Sequence, residues 1–298
     1  MSAGERGEPL VECVPNFSEG RDPAAVGEIA AAIAGVAGVT LLDSSSDYDH
    51  HRSVFTFAGR PEPTCEAAVR AAGCAARLID LRQHAGVHPR IGAADVIPFV
   101  PLHGVTLEDC ARLAERCATA LWERFRIPSY LYEAAARHPE RVRLENLRRS
   151  GFGGLPDIGD DRHPTAGIAA VGARKFLIAW NIILDSENLA AAREIARKIR
   201  TSSGGLPAVK AMGLELRSRR RVQVSINLVD FEQTPLHVVF EAVVQHAARL
   251  GIGVAGSELI GLIPARALDL SSGHDLRWLN MSPDHVLEAR LARLRTLE

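Results

Sequence analysis

The stretch Val222-Gln223-Val224-Ser225-Ile226-Asn227-Leu228-Val229-Asp230 alternates apolar and polar side chains almost without interruption. Successive side chains of a strand point to opposite faces, so Val222, Val224, Ile226 and Leu228 form an apolar face and Gln223, Ser225 and Asn227 a polar one. This reads as a half-buried strand. Residues 208–216 read as the strand before it, joined through the arginine-rich turn at Arg217, Arg219, Arg220 and Arg221, which reads as a solvated hairpin tip. Residues 234–250 follow as a helix capped by Thr234-Pro235, and 254–261 as a closing strand. Upstream, 187–200 read as a helix and 175–184 as a strand. The order is βαββαβ.

The same order appears in the first half. A strand at 10–15 precedes the Asp22-Pro23 start signal of a helix ending near Gly35. Strands follow at 39–43 and 53–59, then a long helix over 65–82 and a strand rich in Val, Ile and Phe over 95–102. Helices over 106–125 and 132–149, then a loop rich in Gly, Asp and Pro over 151–167, separate the halves. The expected fold is α/β of the α+β type, with two βαββαβ ferredoxin-like subdomains, 1–171 and 172–298, each a sheet with helices on one face. A polar sheet face such as that of Gln223, Ser225 and Asn227 is suited to lining a ligand cleft between them.

Composition narrows the class. A net charge of −1 argues against bulk attraction to nucleic acid or to an anionic membrane. No apolar run approaches the roughly 18 residues of a membrane span, and the first residues lack the apolar region of a secretion signal, so a cytoplasmic protein is expected. The five cysteines (Cys13, Cys65, Cys74, Cys110, Cys117) are odd in number and form no C-x-x-C pair, which suggests neither a disulfide framework nor a zinc knuckle. Cys74, Cys110 and Cys117 sit in apolar helical stretches and read as inert core residues.

Two patterns mislead. Gly251, Gly253 and Gly256 match G-x-G-x-x-G, but the dinucleotide motif needs a strand before it and a helix after it, and here the order is reversed; Gly251 reads as the end of the preceding helix. His84 and His88 are four apart and, with His50, His51 and nearby aspartates, invite a metal hydrolase. Gly86 between them and Pro89 after them make a helix unfavourable, and without a helix the shared face does not exist.

The densest chemistry lies in His84-Ala85-Gly86-Val87-His88-Pro89-Arg90-Ile91-Gly92-Ala93-Ala94-Asp95, between a helix and a strand. A loop histidine exchanges protons near neutral pH, and an adjacent arginine holds a carboxylate. By residue type alone, catalysis and a hydrogen-bonded structural histidine both stand.

The strings LVECVPNFSEGRD, DHHRSVFTFAGRP, HAGVHPRIGAADVIPFVPL, HPTAGIAAVGARKFLIAWNI and SINLVDFEQTPLHVVFE, in this order from Leu10 to about Ala267, resemble the formiminotransferase family. That resemblance implies a transferase of histidine breakdown that moves the formimino group of N-formimino-L-glutamate to N5 of tetrahydrofolate, its co-substrate. It implies sheets facing each other around a substrate cleft, helices outside, and a homodimer. It also implies the stand-alone bacterial form, without the cyclodeaminase domain, so that ammonia release needs another protein. The catalytic histidine of the H-P-R-[IM]-G segment is here His88, with His84 flanking it. The folate-binding stretch maps to Ile158, Gly159, Asp160, Asp161, Arg162, His163, Pro164, Thr165, Ala166 and Gly167, one residue shorter than in the animal form. Asp43 and Arg52 fall on cleft positions, Gly92 belongs to the substrate loop, and Arg52, Arg90 and Arg174 are expected carboxylate holders. A family aspartate two positions after Asp43 is Ser45 here, with Asp47 and Asp49 nearby as substitutes. The substrate is already activated as an amidine cation, so no metal is expected. Formyl transfer at the same site, a folate-binding protein without turnover, and metal-dependent hydrolysis are the competing readings.

Overall fold

Pro15 has no N–H to give a ladder, and it divides the first extended segment into β1 (Leu10–Cys13) and β2 (Asn16–Phe17). The computed structural model describes residues 8–48, 50–84, 90–148, 154–216 and 219–295, the last three as backbone alone. Two units divide between Lys175 and Phe176.

In the first unit, α1 (Pro23–Ala34) begins where Asp22 accepts the Ala24 N–H at 2.9 Å, with proline at the first helical position. Next come β3 (Val39–Asp47), β4 (Arg52–Gly59), α2 (Pro61–Leu78) and β5 (Ala94–His103). The reciprocal Thr106–Asp109 cap opens α3 (Leu107–Phe125), followed by β6 (Ser129–Glu133), α4 (Leu144–Leu147) and β7 (Ala169–Ala173). The sheet runs β3, β4, β1/β2, β5, β7, β6; pairs as far as β5 are antiparallel, and β5–β7 and β7–β6 are parallel. The first βαββαβ set therefore has the strand order 4-1-3-2, extended by two parallel strands.

Phe17, Phe55, Phe57 and Phe99 from the sheet pack with Ile29 and Ile33 of α1, the alanines of α2, and Leu113 and Leu121 of α3 in one buried core. Phe17 and Phe55 meet edge to face, 5.5 Å between centroids. Val96, Tyr130, Tyr132, Ile168 and Ala170 form a smaller cluster with Leu147.

The second unit contains β8 (Ile178–Leu184), α5 (Leu189–Ile199), β9 (Val209–Leu216), β10 (Arg221–Leu228), α6 (Leu236–Arg249), β11 (Val254–Ile260), α7 (Ala265–Asp269) and α8 (Leu287–Arg295). Its antiparallel order β11, β8, β10, β9 is again 4-1-3-2. Val222, Val224, Ile226 and Leu228 enter the core, as their alternation requires.

Several local expectations change. Residues 132–149 are not one helix. Ser129–Glu133 is the edge strand β6, buried along most of its length, and beyond it Glu133 turns through a left-handed φ of 53° before only the single turn of α4. The first sheet has seven strands because of β6, the β1/β2 break and β7. The strand expected at 175–184 is β8, which begins at Ile178, and ahead of it lies β7, a strand not expected from the sequence. Its five residues are buried on both sides as an inner parallel strand, so they carry no alternation. Thr234 donates its hydroxyl to the Pro207 carbonyl at 2.7 Å and makes no cap for α6, whose N-cap is Pro235. Cys74 is half-buried rather than fully internal, and all five cysteines are free. Gly251 adopts φ 68° just after α6 and leads to β11, the order that rules out a dinucleotide loop. No helix among the described residues is long and apolar enough to cross a membrane.

Gly167 has φ 73°, and a Cβ there would run into the Ile91 carbonyl and, at 2.8 Å, Leu81. Gly38 has φ 78°, but its nearest neighbour would be Pro63 at 3.7 Å. Gly38→Ala should therefore cost only the left-handed strain, about 1–2 kcal/mol, while Gly167→Ala should cost at least about 2 kcal/mol more. Chemical denaturation of the two variants checks the order.

Candidate active site

β2 is antiparallel to β4 and β5, and β7 is parallel to β5, so the end of β2 and the starts of β4, β5 and β7 meet at one end of the first sheet. Asp95, near the start of β5, is fully buried there. Its Oδ1 accepts the N–H groups of Ile91 at 2.7 Å and Gly92 at 3.4 Å, and its Oδ2 lies 2.6 Å from Arg148 and 3.2 Å from Arg52. Arg52 also donates to Asn16 Oδ1 at 2.9 Å. Burial opposes the Asp95 charge, but Arg148, Arg52 and the Ile91 N–H outweigh it and hold its pKa below the usual carboxylate range. Burial brings Arg52 down to about 10 against the pull of Asp95, which still leaves it charged at neutral pH.

Above this ion pair sit three residues from three separate segments. Ser18 ties the turn after β2 to the loop before β5, its N–H on Ala93 O and its hydroxyl on Gly92 O, both at 2.8 Å. Glu19 Oε1 then accepts the N–H groups of Gly20 and Arg21 at 2.8 Å and of Asp22 at 3.0 Å, and faces His51 Nε2 at 2.9 Å. The turn lies so close to the β3–β4 hairpin that a Cβ on Gly20 would stand 2.5 Å from backbone atoms of Arg52 and Asp47. His51, at the tip of that hairpin with φ 51° and 8% exposure, stacks on His84, ring centroids 3.8 Å apart and planes 16° from parallel.

Burial works against the Glu19 charge, yet the backbone donors at Arg21 and Asp22 and the His51 hydrogen bond lower its pKa. For His84, burial comes first and the neighbouring His51 second in lowering the pKa, so its ring is neutral at neutral pH. Arg90 donates to the carbonyls of His50 at 3.1 Å and His51 at 3.3 Å, which brings a cation beside the pair. Glu19, His51 and His84 offer one donor atom each within 4.8 Å of one another, a set suited to a transition-metal ion.

Of the residues expected from sequence, Arg52, Arg90 and Gly92 come together here. The 158–167 segment joins them: Gly167 bridges Gly92, Leu81 N–H donates to Thr165 O at 2.9 Å, and Arg162 donates to Ile91 O at 3.4 Å. Within it, His163 Nδ1 accepts the Ala166 N–H at 3.0 Å and burial lowers its pKa, while Asp160, Asp161, Arg162 and Pro164 are exposed. Ile158 bridges Ser129, and Gly159 takes φ 87° against the Trp122 ring. His88 lies outside the described residues, as do Pro89 and Asp49. Asp43 pairs with Thr56, four residues and roughly 13 Å along β4 from Arg52. Ser45 pairs with Val54, nearer the site. Arg174 is at the opposite end of the sheet, its N–H on Phe99 O at 3.1 Å and its guanidinium on Lys175 O.

Sequence reasoning missed Glu19 and gave His51 no role beyond a rejected metal cluster. Their partners are 32 and 33 residues away, and no local spacing announces them.

The chain matches the formiminotransferase domain, N-terminal subdomain, over residues 10–174 and the formiminotransferase domain over residues 179–281, and it belongs to that family. It is 44% identical to the glutamate formimidoyltransferase of Streptococcus pyogenes serotype M1, over 87% of this chain and 90% of that one. Identity to the glutamate formimidoyltransferase of Thermoplasma acidophilum is 39%, over 97% of this chain and 99% of the relative. The formimidoyltransferase-cyclodeaminase of Sus scrofa is 42% identical over 87% of this chain but only 51% of its own length.

Replacing Asp95 by Asn leaves the buried Arg52 and the half-buried Arg148 without their counter-charge, so Asp95→Asn should lose about 3–5 kcal/mol in chemical denaturation at pH 7. The folded pKa of Asp95 is depressed, so its contribution is complete above the unfolded value near 4 and is lost as pH falls below it. Wild type should lose stability in that acid window more steeply than the variant.

Proposed function

We propose that this chain is a glutamate formimidoyltransferase, passing the formimino group of N-formimino-L-glutamate to N5 of tetrahydrofolate to give 5-formiminotetrahydrofolate and L-glutamate in histidine degradation. The observation that carries this reading is near end-to-end similarity to two proteins of that name, which span 90% and 99% of their own lengths in the match. The geometry supports it: beside Arg90, Asp95 holds the Ile91 and Gly92 N–H groups, and the 158–167 segment is seated against the same two residues.

The catalyst in this proposal is His88. As the folate nitrogen joins the formimino carbon it gives up a proton, and as the bond to glutamate breaks the departing nitrogen takes one; one imidazole receives the first and returns the second. Holding two substrates in register supplies further acceleration, worth up to ~7–11 kcal/mol when orientation is good. Ile158 to Gly167 is the folate stretch. Arg52, Arg90 and Gly92 serve the substrates, with the two guanidinium groups on the carboxylates of glutamate and folate, while Asp43 and Arg174, which lie away from this end of the sheet, are assigned no part. Because the amidine is a cation in its resting form, the reaction is assigned no metal. Two subdomains, a homodimer and a cytoplasmic location complete the reading.

Initial rates with N-formiminoglutamate, N-formylglutamate and tetrahydrofolate test it: transfer should be fast from the formimino donor, and a preference for the formyl donor overturns the assignment. His88→Ala should fold normally and lose roughly 10²–10⁴-fold in kcat with KM for both substrates little changed, because the residue acts mainly in the transition state.

A further inference from the structure

The stacked histidines carry two buried ring nitrogens, His51 Nδ1 and His84 Nε2, without a hydrogen-bond partner among the described residues. Their chemical character is fixed by what the opposite nitrogens do. His51 Nε2 lies 2.9 Å from Glu19 Oε1, and an ionised carboxylate only accepts, so Nε2 carries a proton; in the tautomer this contact selects, Nδ1 bears the lone pair. His84 hydrogen-bonds to the backbone of Ser18. The Ser18 N–H is already given to Ala93 O, so the group that meets the ring is the carbonyl, and His84 donates from Nδ1 and keeps a lone pair on Nε2. The two rings that carry these acceptors stack with centroids 3.8 Å apart, and the Glu19 charge stands behind one of them.

Buried acceptors call for a donor. Arg90, fastened to the His50 and His51 carbonyls, puts a carboxylate-binding cation beside them. A ligand matching both must carry N–H donors on a cationic group close to a carboxylate. An N-formimino amino acid does: its amidinium and its α-carboxylate are borne on the same carbon. An N-formyl amino acid replaces the terminal N–H groups by a carbonyl oxygen, whose lone pairs would face those of the imidazoles.

We propose that His51 Nδ1 and His84 Nε2 accept hydrogen bonds from the amidinium of the donor substrate and thereby select formimino over formyl donors. This rests on the formimino-transfer reading above and names the residues that read the donor's chemistry. It makes both histidines specificity-determining, with Glu19 the positioning residue that sets the His51 tautomer.

The test has two arms on chelator-treated protein. Nitrogen NMR of the imidazoles is followed while formamidinium chloride is added, with formamide as the control. His51 and His84 should respond to formamidinium and not to formamide. In the second arm, His51→Ala and His84→Ala should each weaken binding of N-formiminoglutamate roughly ten- to a hundredfold, the worth of one charge-assisted hydrogen bond, while binding of N-formylglutamate and tetrahydrofolate changes less than about twofold. Unchanged affinity for formiminoglutamate in both variants, parallel loss of both donors, or no formamidinium response overturns the proposal. A formamidinium response in a protein that transfers nothing from formiminoglutamate supports the subsite and contradicts the reaction, so the two failures are told apart.

Discussion

The buried carboxylate of Asp95 holds the candidate site together. From β5 it touches the loop before that strand, Arg52 at the start of β4 and Arg148 after α4. A lone carboxylate in that position would be expelled from its charged state; with two guanidinium groups and a backbone N–H it stays ionised and in turn fixes each of them. Arg52 carries the constraint to Asn16 and to the hairpin that ends in His51. The Ile91 and Gly92 N–H groups carry it to the stretch that begins at Arg90.

Close backbone packing completes the arrangement. Gly92 and Gly167 bridge each other where a side chain on either would strike a carbonyl, and Gly20 lies equally tightly on the β3–β4 hairpin. Three segments distant in sequence can thus be held within hydrogen-bond reach without a disulfide. The result is a rigid end of a sheet carrying titratable groups whose pKa values are set by burial and by backbone donors.

The doubled βαββαβ order was legible because β4, β8, β10 and their helices have ordinary periodicities and clear start signals. β7 was not, because Ala169-Ala170-Val171-Gly172-Ala173 is buried on both faces and has no alternation to read. β6 was mistaken for the start of a helix because Tyr130 and Tyr132 lie on one face and Leu131 on the other, all buried, so neither period stands out. In the site, Arg52, Arg90, Gly92 and the 158–167 segment were found through family resemblance, and their meeting is consistent with one site. Glu19 could not be found this way: its role rests on three N–H groups of its own turn and an imidazole from a distant hairpin. His51 follows from the same long-range contact.

The central claim, that the group transferred is an intact formimino carbon, is tested most directly by following N-[¹³C]formimino-L-glutamate with the protein and tetrahydrofolate by carbon NMR. The account predicts that the labelled resonance leaves glutamate and appears on the folate, one glutamate released for each carbon transferred, with chelator making no difference. Label appearing as free formamide or formate, with the folate unlabelled, would mean hydrolysis and would contradict it.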